Sequence, residues 1–272
     1  MRSCQYIVIW QSIKIIELVK KYGKKVVNLL WSGGWDGTFR FLQLCQYDLV
    51  IQPIYIFDNK RKSAPYEMKA MKDIMAVSKN RFRAKIRKPI VYKKSWILEN
   101  CNDDEIVESF LYLHEKYKVG YQYKWFALLL KHLNIKCESA VVHQYHGKVE
   151  DAINAEGVLQ LIEDDWLPDR YCVMSKDGNN TVYNLFGNLI LPVIRYTKQD
   201  EERIARENGW MDIMNMSWFC HSPINGKPCG LCGPCDDAMN TGMEWRMPAV
   251  SKIRYRCRQV WKLVKKVLKI DK

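Results

Sequence analysis

Nowhere does the sequence hold an uncharged apolar run of about 18 residues, the length at which a membrane span becomes a reading, so no transmembrane helix is expected. The stretch Tyr6-Ile7-Val8-Ile9-Trp10 is too short and wrongly flanked for a signal peptide, and a cytoplasmic location is the expectation. Internal repeats and low-complexity segments are also missing, so the organisation must come from apolar runs and their punctuation. Acidic residues are in short supply. With 43 Lys and Arg against 30 Asp and Glu, the surface field favours phosphate-rich partners: nucleotides, RNA or an anionic membrane.

What the chain does have is length and apolar content. At 272 residues and 48% hydrophobic it can bury a substantial core, as one large domain or as a domain with a small appendage. Its 10 cysteines are unevenly placed, with Cys220, Cys229, Cys232 and Cys235 crowded together and the others scattered. That distribution reads as a metal site in a reducing compartment rather than a disulfide framework.

The apolar pattern alternates between strand and helix. Helical spacing over residues 5–22 stops at Gly23, and Lys25 to Trp31 follows as a short strand. Trp31 to Gly37 then leads into Thr38-Phe39-Arg40-Phe41 as strand, glycine turn and helix. Further strands are expected over residues 50–57, 86–92 and 139–143, with helices over 66–79, 103–117, 121–133 and 198–208. Short buried strands between helices predict an α/β fold with a doubly wound, mostly parallel sheet, whose ligands sit at the carboxyl ends of the strands. The segments flanking Asp177-Gly178-Asn179-Asn180 read as a hairpin insertion over about residues 168–188. The expected organisation is an N-terminal helix (1–23), an ATP-binding α/β domain (24–215), a zinc-binding module (216–247) and a basic amphipathic helix (248–272).

Glycines between a strand and a helix let backbone N–H groups converge on an anion, and the helix N-terminus adds its dipole. Ser32-Gly33-Gly34-Trp35-Asp36-Gly37-Thr38 has that form. Spacing alone leaves a phosphate site and a purely structural turn equally open. The cysteines are more specific. Intervening lengths of eight, two and two, with Gly and Pro between, let four thiolates meet at one point. Four soft ligands with no open position favour structural Zn²⁺, with an iron–sulfur cluster as the competitor.

The order Ser-Gly-Gly-Xaa-Asp after the first strand resembles the signature of the PP-loop ATP pyrophosphatase superfamily. The resemblance implies that Ser32, Gly33, Gly34, Asp36, Gly37 and Thr38 hold the pyrophosphate end of ATP, and that Asp58, after the second strand, faces the adenosine. The superfamily pattern has Ser where this chain has Gly37, and Thr38 is the residue expected to supply that hydroxyl. Together with Cys220, Cys229, Cys232 and Cys235, with Leu191-Pro192 and with Lys198 ahead of a helix, the chain resembles the 7-cyano-7-deazaguanine synthase family. That implies an ATP-dependent C–N ligase: Mg²⁺ accompanies ATP, Asp36 and Lys198 serve catalysis, and the carboxylate of 7-carboxy-7-deazaguanine is aminated by ammonia to an amide and a nitrile. A tRNA-thiolating or amidinating enzyme, with Cys45 or Cys101 as the sulfur carrier nearest in sequence, is the alternative. A repurposed nucleotide-binding homologue is a third reading. Two segments depart from the synthase pattern, Gly120-Tyr121-Gln122-Tyr123 and Asn59-Lys60-Arg61-Lys62.

Weaker signals have bland readings beside the functional ones. His143 and His146 can touch a ligand at a strand end or simply be solvated, and Glu163-Asp164-Asp165 and Asp236-Asp237 read as solvated faces. The tail suits an anionic lipid or RNA, but packing against the domain or a dimer partner is placed first, because Trp261 and the Leu and Val positions would otherwise be exposed. A homodimer and a nucleic acid are compatible partners, the latter not the favoured one.

Overall fold

The computed structural model describes residues 25–144, 147–163 and 167–268, so the expected N-terminal helix, Cys4, His146 and Asp164-Asp165 lie outside the described residues. The chain builds a mixed α/β fold around a mostly parallel sheet. In chain order the strands are β1 (Val26–Leu30), β2 (Val50–Phe57), β3 (Lys85–Ile86), β4 (Ile90–Lys93), β5 (Cys137–Ser139), β6 (Gly157–Leu161), β7 (Tyr171–Ser175) and β8 (Leu189–Ile190). The helices are α1 (Trp35–Cys45), α2 (Ala64–Arg81), α3 (Lys94–Asn100), α4 (Asp104–Tyr117), α5 (Gln122–Leu133), α6 (Lys148–Glu156), α7 (Thr181–Phe186), α8 (Lys198–Glu207), α9 (Met211–Met214), α10 (Gly233–Asn240) and α11 (Ala249–Val267).

The sheet runs β3-β2-β1-β5-β8-β7-β6, with β4 continuing the β3 edge of β2. Every pairing up to β8 is parallel; β7 and β6 close the far edge antiparallel. Strand order therefore reverses between β1 and β5, and a crevice opens beyond their carboxyl ends. Alternation along the strands divides the core. Val27, Leu29 and Ile51 pack under α1, α2 and α9, whereas Leu30 and Ile54 pack with α4, α5 and α7 on the other face. Cys220, Cys229 and Cys235 join the first of these cores, so the cysteine segment packs into the same interior as the sheet.

A buried charge cluster ties this sheet to the helix after the glycine loop. Arg40 of α1 grips Glu138 of β5 with two parallel bonds, Nε to Oε2 at 2.7 Å and Nη2 to Oε1 at 3.0 Å. Arg170 Nε adds a third at 3.0 Å. Arg40 and Glu138 are buried, so their charges are affordable only as a saturated set.

Four expectations are corrected by these elements. The third strand is split, because Pro89 has no N–H to give the ladder and β2 bonds on either side of the break. The fourth spans Cys137–Ser139 and not residues 139–143; β1 stops at Leu30, which pairs with Ser139, and no strand continues beside it. The hairpin over residues 168–188 is half right. Asp177 and Gly178, both at positive φ, close a turn after β7, but Val182, Leu185 and Phe186 are buried at helical spacing and residues 181–186 form α7. β7 pairs backwards with β6 instead.

The fourth correction concerns the tail. α11 forms as expected, but Ser251, Tyr255, Arg258 and Gln259 turn toward the body and bond to Pro228, Asn240, Leu231 and Asp236. Its polar face is spent inward, which leaves the apolar face in solvent. No helix among the described residues is long and apolar enough to cross a membrane.

Glu138→Ala removes the carboxylate that pairs the buried Arg40 guanidinium and is expected to lower stability by about 3–5 kcal/mol in urea unfolding. Glu138→Gln keeps two polar atoms facing Arg40 and should lose less; equal losses would show that the charge cluster is not what matters.

Candidate functional site

The loop from Ser32 to Thr38 lies at the reversal of strand order. Trp31 N–H still donates to Ile54 O at 3.0 Å, after which Gly33 turns at a φ of 72°. That conformation suits glycine, and a side chain there would press on the Glu67 carbonyl and on Met71. Gly33 O accepts from Trp218 N–H at 2.8 Å, which fastens the loop to the cysteine segment. Gly34 caps α1 without any side-chain bond to the first turn, so helix N–H groups are left for a ligand.

Two loop positions behave differently from expectation. Thr38 is fully buried, and its Oγ1 accepts from the Trp31 indole N–H at 3.2 Å, so its hydroxyl is occupied in the core and does not replace one at position 37. Gly37 has no room for a hydroxymethyl. A Cβ there would stand 2.7 Å from Trp31 Cδ1, and Trp31 is itself held by stacking on Phe41 at 4.5 Å. Gly37 and Trp31 are one packing solution.

Asp36 and Lys198 meet directly: the ammonium donates to Asp36 Oδ1. Lys198 opens α8, whose start is held by the reciprocal bonds of Thr197 and Asp200. Beneath this pair lies Glu201, fully buried, neither of whose oxygens closes a hydrogen bond among the described residues. Burial, then the charge of Asp36, push its carboxyl well above the ordinary range, and Lys198 only partly opposes this.

Asp36 and Lys198 form the floor of a cleft of about 360 Å³. Two arginines stand on its walls, together with Glu67 and Asp237. Arg246 is held by Ser217 through two bonds of 2.8 Å and lies over Trp35 and Phe219 at 4.6 and 4.8 Å. Burial lowers its pKa to about 10, so it stays charged at neutral pH. Arg61 reaches in from the loop after β2, its Nη2 2.7 Å from His221 Nε2, and desolvation, then the charge of Arg61, lower the His221 pKa. Gln122 and Gln144 line the opposite side, and Asp237 faces Lys198 and Lys148, its carboxyl raised chiefly by burial. A slot of about 90 Å³ continues from Ser32 and Arg61 between Trp31, Ile54 and Trp125.

Of the residues expected here, Ser32, Gly34, Asp36 and Lys198 line the cleft. Asp58 does not: it bonds Lys94 Nζ at 2.9 Å and Lys60 N–H at 3.0 Å. Burial works against its charge, but these bonds and the charges of Lys94 and Arg61 prevail and hold its carboxyl below the usual value. His143 pairs with Glu150 at 2.6 Å, outside the cleft lining. Cys45 and Cys101 are buried core thiols; burial raises both, Cys101 to about 11, which makes them poor nucleophiles. Arg61, Glu201, His221 and Arg246 were not singled out for the site by sequence reasoning. Only the charged segment 59–62 gave a signal.

The four cysteines converge. Sγ atoms of Cys232 and Cys235 lie 3.5 Å apart, Cys220 and Cys232 3.8 Å, and Cys229 and Cys235 3.9 Å, and the four lie within 4.8 Å of one another. A tetrahedral ion with sulfur at about 2.3 Å needs edges of about 3.8 Å, so the set fits a single metal ion. Backbone N–H groups of Cys229, Leu231 and Cys232 donate to the Cys220 and Cys229 sulfurs, as thiolate charge requires. Ile224 and Lys227 close a turn through Asn225 and Gly226, which carries the chain from Cys220 back to Cys229.

No family model matches this chain, and no curated protein does. Among solved structures it is similar to the U34-tRNA thiolase NcsA from Methanococcus maripaludis with its 4Fe-4S cluster, at 13% identity and a TM-score of 0.35, over 100% of this chain and 82% of that one. A likeness at that level carries no argument about chemistry.

Gly37→Ser is expected to cost about 1–3 kcal/mol through its clash with Trp31, and Trp31→Val should recover part of that loss in the double variant. Additive losses by urea unfolding would separate the two residues. Glu201 gives a pH test. A carboxyl whose folded pKa is raised binds more protons folded than unfolded, so its cost is absent below the unfolded pKa and grows as pH rises toward the folded value. Glu201→Gln should therefore stabilise at neutral pH and be neutral in acid; a pH-independent difference would contradict the buried neutral carboxyl.

Proposed function

We propose that this chain is an ATP-dependent enzyme that adenylylates its substrate in the cleft over residues 32–38. The observation that carries the reading is the meeting of an uncapped helix N-terminus with the Asp36–Lys198 pair at the reversal of strand order. The order of motifs supports placing it in the PP-loop superfamily.

In this reading the N–H groups after Gly33 and Gly34 receive the polyphosphate, and the slot beside Trp31 and Trp125 takes the base in place of Asp58. A substrate oxygen attacks the α-phosphorus and pyrophosphate leaves. Lys198 and Arg246 are the cleft cations that meet the negative charge accumulating in that step, Lys198 by exchanging Asp36 for phosphate. Asp36 and Asp237 are the carboxylates able to hold Mg²⁺, which supplies further neutralisation of the phosphates when bound. The four thiolates hold Zn²⁺ in a structural role, since their spacing is that of one ion, whereas a cubane cluster spreads its thiolates over four irons.

For the acceptor, the motif order supports a small-molecule carboxylate, with 7-carboxy-7-deazaguanine first. Activation makes its oxygen a leaving group as AMP, and ammonia forms the C–N bond. A base in tRNA is the second reading, favoured by the net charge of +13. Thiolation by a cysteine of this chain has no sulfur carrier among the described residues lining the cleft, so amidination suits it better.

The protein is to be incubated with ATP and Mg²⁺, with 7-carboxy-7-deazaguanine plus ammonia in one arm and unmodified tRNA in the other. AMP and pyrophosphate formed with one acceptor identify its class. Lys198→Ala should lower kcat about a hundredfold to a thousandfold. Release of ADP alone, or bound ATP with no turnover in either arm, would overturn adenylylation of these acceptors.

A further inference from the structure

α11 presents an arrangement that the adenylylation reading does not use. Ile253, Val260, Trp261 and Val267 are 59%, 60%, 57% and 79% exposed, and with the exposed Cys257 they share one side of the helix. The opposite side is fixed to the cysteine segment by Ser251, Tyr255, Arg258 and Gln259. Gly230 anchors that contact, since a Cβ there would collide with the Ser251 carbonyl. The helix is thus held in place with its apolar side facing away from the domain.

Charge selects what covers it. Residues 249–267 contain no Asp or Glu, and Arg256, Lys262 and Lys265 are among the cations along the helix. A second copy would bring the same cations and a net charge of +13 to the contact. Residues 1–24 carry more Lys and Arg than Glu and are no better matched. RNA satisfies the charge but leaves a Val, Ile and Trp surface without an apolar partner. A bilayer with anionic headgroups satisfies both: phosphates meet the cations, acyl chains meet the apolar side, and Trp261 suits the boundary between them.

We propose that α11 docks flat on an anionic lipid surface, with the cleft-lining cysteine segment fixed against its inner side. This does not depend on the reaction catalysed in the cleft.

The full chain is sedimented with vesicles of phosphatidylcholine alone and of equal parts phosphatidylcholine and phosphatidylglycerol, and separately titrated with tRNA. Binding is expected to the anionic vesicles, weakening with salt and nearly absent for phosphatidylcholine. Val260→Asp with Trp261→Asp removes two exposed apolar groups and should weaken vesicle binding about a hundredfold, with an unchanged thermal midpoint. A fluorophore on Cys257 should shift to the blue on adding anionic vesicles. Failure to bind them, or binding indifferent to the double variant, overturns the proposal. So does a probe already shielded in lipid-free solution, which points to residues 1–24, or to a second copy if the double variant dissociates a dimer. tRNA binding lost in the double variant, without vesicle binding, assigns the surface to RNA instead.

Discussion

The bidentate bond from Arg40 to Glu138 joins the helix behind the glycine loop to the strand across the reversal in strand order. It aims the N-terminus of α1 at the crevice beyond the carboxyl ends of those two strands. Hydrophobic packing tolerates sliding, whereas a buried guanidinium–carboxylate pair has one geometry and a large cost for leaving it. Arg170 extends the same constraint to the segment before β7. The unusual loop residues can be read against this fixed frame: once α1 is held, Trp31 fills the space above Gly37, and Thr38 turns inward to meet the indole.

A second tie runs from the loop to the cysteine segment. Trp218 N–H bonds Gly33 O, and Arg246, just before α11, lies half-buried over Trp35 at the start of α1. The segment that gathers four thiolates therefore also completes the cleft wall, and a metal ion there would act at a distance by fixing Trp218, His221 and Arg246. The charge pattern in the cleft is layered. Arg61 and Arg246 stand on the wall, the Asp36–Lys198 pair occupies the floor, and beneath it burial holds the Glu201 carboxyl well above the ordinary range despite the lysine.

Much of this was readable from residue order. β2 matches its apolar run from Val50 to Phe57, and α4, α5 and α8 start within a residue of their patterns, because caps, apolar periodicity and glycine stops are local signals. The cysteine set was readable for the same reason: two short spacings confine three thiolates to one knuckle. Errors fell where a segment's partner was remote. Residues 181–186 read as a returning strand after a good turn, yet burial against α4 and β7 made them a helix. The Asp58 partner was likewise invisible in the sequence, since only packing brought Lys94 beside it.

By itself, then, the sequence determined an α/β sheet, the position of the glycine loop at its first strand–helix turn, and a four-sulfur site, all of them set by neighbours within about ten residues. Tertiary structure alone decided which charges enter the cleft. Arg61, Lys198 and Arg246 come from three separate stretches that no periodicity connects. It also decided which way α11 faces: an amphipathic pattern specifies two sides of a helix, but the hydrogen bonds of its polar side to the cysteine segment turned the apolar side outward.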